Sequence, residues 1–211
     1  MKKYLLPILY FASVSYGLAQ GQFNIKIAPG LSYSRVYTNP DTAGFSSDGI
    51  ALRCKLGPLY DWNIKGNYYL STGLLWAAQQ ASIKNDSLSI QEQHELQYLQ
   101  VPLLLKFYTG EIRLDTRLYF ELGAIGTLKI NDRVTKLTQP KPLIKTLQVW
   151  GLGGLFGLGI EYNITLFTSV SGGISYQLGM TSMFRKQQAI AGVSKVLGYA
   201  DFVSLDIGIK F

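Results

Sequence analysis

The sequence predicts an all-β protein, an eight-stranded antiparallel transmembrane β-barrel, from three observations. Apolar and polar residues alternate with a period of two along most of the 211 residues, which is the pattern of strands with two different faces. The alternating segments reach the roughly 9–11 residues that a tilted strand needs to cross a bilayer. The connections between them are alternately long and short, as in barrels whose tight turns all lie on one side of a membrane.

The N-terminal residues differ in character from the rest of the chain. A short basic start is followed by a mostly apolar run over residues 4–16 and by small residues before a cleavage point after Ala19. This is the layout of a secretory signal peptide. We therefore expect residues 1–19 to be a signal peptide and residues 20–211 to form the outer-membrane β-barrel domain, with an uncleaved N-terminal anchor as the alternative.

The composition excludes several classes of protein. The chain has 20 basic and 13 acidic residues, a formal net charge of +7, and removing two lysines with residues 1–19 leaves 18 − 13 = +5. These charges are scattered rather than clustered, so we expect no nucleic-acid partner. Cys54 is the only cysteine and can form neither an internal disulfide nor a thiol-rich metal site. After the N-terminal segment, no apolar run is long enough for a transmembrane helix.

The final segment shows the alternation most clearly, with Leu205, Ile207 and Ile209 on one face and Asp206 and Lys210 on the other. The eight predicted strands cover about residues 23–33, 49–60, 67–83, 93–109, 113–130, 146–162, 165–180 and 202–211. The long connections are about 39–48, 84–92, 131–145 and 181–199, and the short ones are about 61–66, 110–112 and 163–164. An even number of strands places both termini on the periplasmic side.

In hydrocarbon every backbone polar group needs an internal partner, so the sheet must close, with its apolar face toward lipid. Eight strands leave an interior that side chains fill, and charges buried there need opposite partners. The charged residues expected to point inward are Lys26, Arg53, Lys55, Lys106, Arg113, Asp115, Arg117, Glu121, Lys129, Glu161, Asp206 and Lys210. Inward glycines expected to make room for them are Gly151, Gly153, Gly157 and Gly159. Aromatic residues expected to form interfacial girdles are Tyr60, Trp62, Tyr68, Tyr162 and Phe211 on the periplasmic side, and Tyr37, Trp150 and Phe184 outside.

One segment carries a family resemblance. Residues 96–107, LQYLQVPLLLKF, resemble the Y-L-x-[IV]-P-L-L-x-K strand of the PorT-like outer-membrane barrels of Bacteroidota. The resemblance implies an eight-stranded barrel whose terminal aromatic, Phe211, is similar to those read by the barrel-insertion machinery. Some members of that wider group support protein secretion, which makes a role in a secretion machinery an alternative.

Catalytic and metal-binding motifs are weak. His94, the only histidine, lies near Asp86, Ser87 and Ser89, but no Gly-x-Ser-x-Gly motif accompanies it, and we expect a solvated residue at a loop edge. One histidine and Cys54 lack the spacing of a metal site. The glycine run over residues 151–159 lacks the strand–turn–helix context of a dinucleotide loop, so we expect a barrel strand there.

These observations predict a non-catalytic protein of the cell outer membrane with a structural or interaction role and with no cofactor, catalytic residue or metal site. Its expected partners are outer-membrane lipid, the barrel-insertion machinery and proteins that bind the extracellular loops. Lipopolysaccharide is a further candidate, since charge-assisted hydrogen bonds to its phosphates could come from basic residues in the outer loops, although ordinary solvated loops are the favoured interpretation. These residues are Arg133, Lys136, Lys141, Lys145, Arg185, Lys186 and Lys195. A small transport barrel and a soluble lipocalin-like barrel are the remaining alternatives.

Overall fold

The computed structural model describes residues 21–39, 44–85, 89–138, 144–187 and 195–211. The predicted signal peptide, residues 1–19, lies outside these ranges. No helix in the part that the structure describes is long and apolar enough to cross a membrane. The described strands are β1 (Gly21–Asn39), β2 (Ile50–Lys65), β3 (Tyr68–Gly73), β4 (Leu75–Asn85), β5 (Ile90–Tyr108), β6 (Thr116–Leu137), β7 (Ile144–Leu147), β8 (Trp150–Asn163), β9 (Ser169–Gly179), β10 (Phe184–Gln187) and β11 (Lys195–Lys210).

The antiparallel strands close into a ring, as predicted. Its order is β1, β2, β3 with β4, β5, β6, β8, β9 and β11, and β11 pairs with β1 to complete the circle. Because β3 and β4 together occupy one position, the ring has eight strands. Gly21 and Phe211 lie at the same end of the barrel as the turns that follow β2, β5 and β8. We call this the terminal end and the opposite one the loop end.

The third strand of the ring is interrupted at Leu74. Both β3 and β4 pair with β2 on one side and with β5 on the other. Gly57 and Gly73 allow the backbones to approach at this point, since a Cβ on Gly57 would lie 2.1 Å from the Leu74 carbonyl oxygen, and one on Gly73 would lie 2.3 Å from that of Pro58. Only glycine fits such contacts, so the interruption at Leu74 depends on the two glycines in the sequence.

Toward the loop end, the ring closes partly through side chains. Only two residue pairs join β2 to β4, Lys55 with Ala77 and Leu56 with Trp76. Beyond them, the backbone N–H of Gln80 donates to the Ser32 hydroxyl at 3.0 Å. The N–H groups of the β4 edge are thereby satisfied by inward-facing serines of β1 instead of by β2.

The two faces of the wall carry the predicted residues. Leu122 and Ile207 point outward and are 56% and 53% exposed, whereas Lys26 and Glu121 are buried inside. The predicted aromatic girdles are exposed at several positions, among them Tyr68, Tyr162, Phe211, Tyr37 and Trp150. Phe184 is an exception, because it is buried under the loops and does not face the membrane.

The long loops were predicted with the wrong extent. β4 and β5 continue to Asn85 and Ile90, and β6 runs to Leu137, so much of 84–92 and 131–145 is strand. Beyond Leu99 the outward face of β5 changes to the polar residues Gln97, Glu95, Gln93 and Gln91, while its inward face stays buried. The period-two contrast therefore weakens where the strands leave the apolar belt, although the ladder itself continues.

Candidate functional site

A continuous series of ion pairs fills the barrel interior toward the terminal end. It alternates four basic and four acidic side chains, with every successive pair of charged atoms within 4.0 Å. All members except Arg117 are buried. We call this series the ion-pair chain, and its members in spatial order are Arg117, Glu161, Lys210, Asp61, Lys106, Glu121, Lys26 and Asp206.

The lysines of the ion-pair chain each bridge two carboxylates. Lys210 Nζ lies 2.6 Å from Glu161 Oε2 and 3.3 Å from Asp61 Oδ2. Lys106 Nζ lies 3.0 Å from the same Asp61 oxygen and also bonds Asp61 Oδ1 at 3.1 Å. Asp61 is therefore the carboxylate shared by these two buried lysines.

The other half of the ion-pair chain is centred on Lys26. Its Nζ lies 2.9 Å from Glu121 Oε1 and 2.7 Å from Asp206 Oδ2. Gly157 of the neighbouring strand β8 makes room for the Glu121 side chain, because a Cβ there would lie 2.7 Å from Glu121 Cγ. The cavity beside these residues measures about 10 Å³, which is space for about one water molecule.

At the loop end, a second feature covers the barrel. β7 and β10 pair with each other as a separate two-stranded sheet. This sheet packs onto the inward faces of β4, β5 and β11. We call the assembly of β7, β10 and these strand ends the cap. Its buried apolar core consists of Phe45, Ala77, Ala81, Ile83, Ile90, Leu96, Tyr98, Ile144, Leu147, Met183, Phe184, Val196 and Ala200.

A buried polar pair connects the cap to the barrel wall. Glu92 and His94 both point inward from β5, and His94 Nε2 lies 2.6 Å from Glu92 Oε1. The same carboxylate accepts the backbone N–H of Ile144 in β7, at 3.3 Å. The prediction of a solvated His94 is therefore wrong, because this residue is only 5% exposed.

We expect Phe184→Ala to loosen the cap and leave the barrel folded. Phe184 belongs to the apolar core of the cap, and truncating a buried phenylalanine costs about 3–5 kcal/mol. Limited proteolysis of the folded protein should show faster cleavage near β10, with unchanged heat-modifiable migration of the barrel. Phe167→Ala, at a position 81% exposed in a terminal-end turn, is the control. Equal protease resistance of both variants would contradict a packed cap.

Most of the predicted inward charges lie where the alternation placed them. Lys26, Lys106, Glu121, Glu161, Asp206 and Lys210 join the ion-pair chain with Arg117, while Lys55 is buried outside it. Arg113 and Asp115 were misplaced, because they lie in the turn between β5 and β6. Arg53 approaches Glu95 at 4.0 Å, and Lys129 pairs with Asp132 at 2.6 Å near the cap.

Asp61 was missed by sequence reasoning. It was assigned to a turn, but β2 continues to Lys65 and holds Asp61 fully buried. The signal was available, because Asp61 continues the inward series of Lys55, Gly57 and Leu59 at a spacing of two.

The residues considered for catalysis do not form a described site. Asp86 and Ser87 lie outside the described residues, and Ser89 occupies the adjoining turn with a φ of 53°. Within the described ranges, no group of three or more His, Cys, Asp or Glu side chains is arranged to hold a metal ion. The glycine-rich run is strand β8, as predicted.

The predicted basic loop residues are only partly described. Arg133 and Lys136 belong to the extension of β6, and Arg185 is exposed on β10. Lys141 lies outside the described residues, as do the side chains of Lys145, Lys186 and Lys195.

Solved outer-membrane barrels have a similar fold. The outer membrane protein OprG of Pseudomonas aeruginosa is 16% identical, with a TM-score of 0.56, over 91% of this chain and 96% of OprG. Neisserial surface protein A is 10% identical, with a TM-score of 0.47, over 89% of this chain and 95% of that protein. At 16% identity the likeness to OprG shows the fold alone. The comparison with curated proteins gave no match.

The family follows from a separate comparison. The model of the outer membrane protein beta-barrel domain matches residues 18–185, which is more than half of the chain. This match gives the broader family and does not single out the PorT-like barrels that residues 96–107 suggested. Together with the fold, it places the protein in the outer membrane. The chain belongs to the family of outer membrane protein beta-barrel domains.

Proposed function

We propose that this protein is a closed, non-catalytic outer-membrane barrel that presents its cap at the cell surface in a structural or interaction role. The observation that carries this proposal is the ion-pair chain, which crosses the interior and leaves a cavity of about 10 Å³ beside it. A solute pathway would require these buried charges to separate, and breaking buried ion pairs is costly.

The cap supports an interaction role. Strands that extend beyond the apolar belt, closed over a core of their own, give a rigid surface that can bind another molecule with little loss of conformational entropy. The single histidine supports the non-catalytic part, because it is buried inside the cap at 5% exposure.

The proposed orientation places the terminal end in the periplasm and the cap outside, since barrels of this class have short periplasmic turns. Residues 1–19 would direct export, and Phe211 would be read by the barrel-insertion machinery. Outer-membrane lipid would surround the apolar belt, and exposed Arg133, Lys136 and Arg185 could contact lipopolysaccharide phosphates. A secretion role of the PorT type is not proposed, because the family match is broader than that group.

Planar-bilayer recording tests the closed barrel. We expect the purified protein to insert without producing steady ionic currents. Three lysines, one arginine and four carboxylates occupy the lumen as paired charges. A porin reconstituted in the same bilayers is the positive control. Steady, large currents from this protein would overturn the proposal and favour the transport alternative.

A further inference from the structure

Lys55 is a buried cation outside the ion-pair chain. It is 3% exposed, its Nζ donates to Gln177 Oε1 at 3.1 Å, and it lies 4.2 Å from the centre of the Phe202 ring. Among the described residues, no carboxylate oxygen lies within 4.0 Å of this ammonium group. A protonated Lys55 is therefore a buried positive charge with no carboxylate in direct contact, beside an ion-pair chain whose four bases and four acids already balance each other.

Two other buried amides of the barrel interior have unused hydrogen-bonding capacity. Gln100 is fully buried, and neither its amide oxygen nor its amide nitrogen has a hydrogen-bond partner. Gln79 is 3% exposed, and its Nε2 has no partner either. Buried amide groups without partners are uncommon and costly, so this layer of the barrel is built for a further polar species.

A cavity borders Gln79 and Gln177, and Lys55 is linked to it through its bond to Gln177 instead of lining it. It measures about 30 Å³, and Gln79, Gln177, Tyr98 and Thr127 contribute to its lining. Gln100 is the cross-strand neighbour of Thr127 and points to the same interior. A space of this size holds one or two species of about the size of a water molecule.

We propose that this cavity binds a small monovalent inorganic anion of the size of chloride, which balances the charge of Lys55. Lys55 binds the oxygen of the Gln177 amide and leaves the nitrogen of that amide as a donor. Gln79 supplies a second amide N–H, and Thr127 and Tyr98 supply hydroxyl donors. The site thus combines neutral donors with one nearby cation in surroundings of low dielectric, where such interactions are strong.

The alternative is an uncharged Lys55 that needs no counter-ion. The two cases differ in their response to salt. Anion binding to the folded barrel stabilises it in proportion to the logarithm of anion concentration, whereas an uncharged lysine gives no specific response to chloride.

Thermal unfolding of the detergent-folded protein separates the two cases. At matched ionic strength, the unfolding midpoint in sodium chloride should exceed that in sodium gluconate, whose anion is a much larger organic carboxylate. At a chloride concentration about 100 times the dissociation constant, we expect a shift of about 5–10 °C. Equal midpoints in the two salts would overturn the proposal.

Two variants localise the effect. Lys55→Met should abolish the difference between chloride and gluconate, whereas Lys65→Met, the same change at an exposed position, should retain it. If Lys55→Met does not fold, Gln79→Leu replaces it and should reduce the chloride effect. Retention of the full effect in Lys55→Met, or in Gln79→Leu where that variant replaces it, would overturn the assignment.

A direct observation needs no variant. Crystals of the unmodified protein grown in sodium bromide should show anomalous density in the cavity bounded by Gln79 and Gln177. A well-ordered cavity without anomalous density would contradict the proposed site.

Discussion

Replacing Asp61 with asparagine should destabilise the folded barrel by about 3–5 kcal/mol, the cost of removing one partner from a buried ion pair. Asp61 is fully buried and is bonded to both Lys106 and Lys210. Asparagine keeps the shape and one acceptor oxygen but removes the negative charge. The net charge of the ion-pair chain, counting its three lysines, Arg117 and four carboxylates, would then change from zero to +1 inside the barrel.

Urea unfolding of the protein in lipid vesicles, followed by tryptophan fluorescence, measures this loss. Asp115→Asn is the matched control, because it makes the same chemical change in a terminal-end turn, where Asp115 has no described ion pair and a φ of 59° that asparagine also tolerates. A loss below about 1 kcal/mol in Asp61→Asn, equal to that of the control, would show that the ion-pair chain does not hold the interior together.

The orientation of the wall could be predicted from sequence because it depends only on a period of two. Once Ile207 and Ile209 face lipid, Asp206 and Lys210 must face inward, and the same logic placed Lys26, Glu121 and Glu161. The pairs themselves could not be predicted, since contacts such as Lys26 with Asp206 depend on the register between strands that are distant in sequence.

The cap could not be predicted for a different reason. Its core combines residues from several strand ends and loops, for example Phe45, Ile144 and Phe184, and none of these segments has a long periodic pattern of its own. Phe184 was therefore interpreted as an interfacial aromatic, when its ring actually packs against Gly198, whose missing side chain leaves the space.

The limits of the strands were misjudged where two patterns meet. Inside the membrane, β5 alternates lipid-facing Val101, Leu103 and Leu105 with inward residues, whereas beyond Leu99 both faces include polar side chains. The strand predicted over residues 93–109 passed this boundary but stopped three residues short of Ile90, where backbone pairing with β4 ends. The change in the outward face thus marks the edge of the membrane better than it marks the end of the strand.

Placing an arginine on the lipid-facing side should also destabilise the folded barrel in the bilayer. We expect Leu103→Arg to lower the free energy of unfolding in lipid vesicles by about 2–4 kcal/mol, the cost of an arginine near the middle of the bilayer on a barrel surface. Leu103 is 56% exposed and lies between Thr72 and Ala124 of the neighbouring strands, so the guanidinium has no acidic partner beside it.

Gln97→Arg on the same strand is the control and should cost about 0–1 kcal/mol, because Gln97 faces outward beyond the proposed membrane boundary. Both variants add the same charge to the same face of β5, so the difference between them reports depth in the bilayer and not strand propensity. If the two substitutions cost the same, the apolar belt does not coincide with the hydrocarbon layer. If the cost falls steadily from Leu103 through Val101 and Leu99 to Gln97, the profile locates the outer edge of the membrane on β5. The part of the strand beyond that edge is then the surface that projects out of the bilayer.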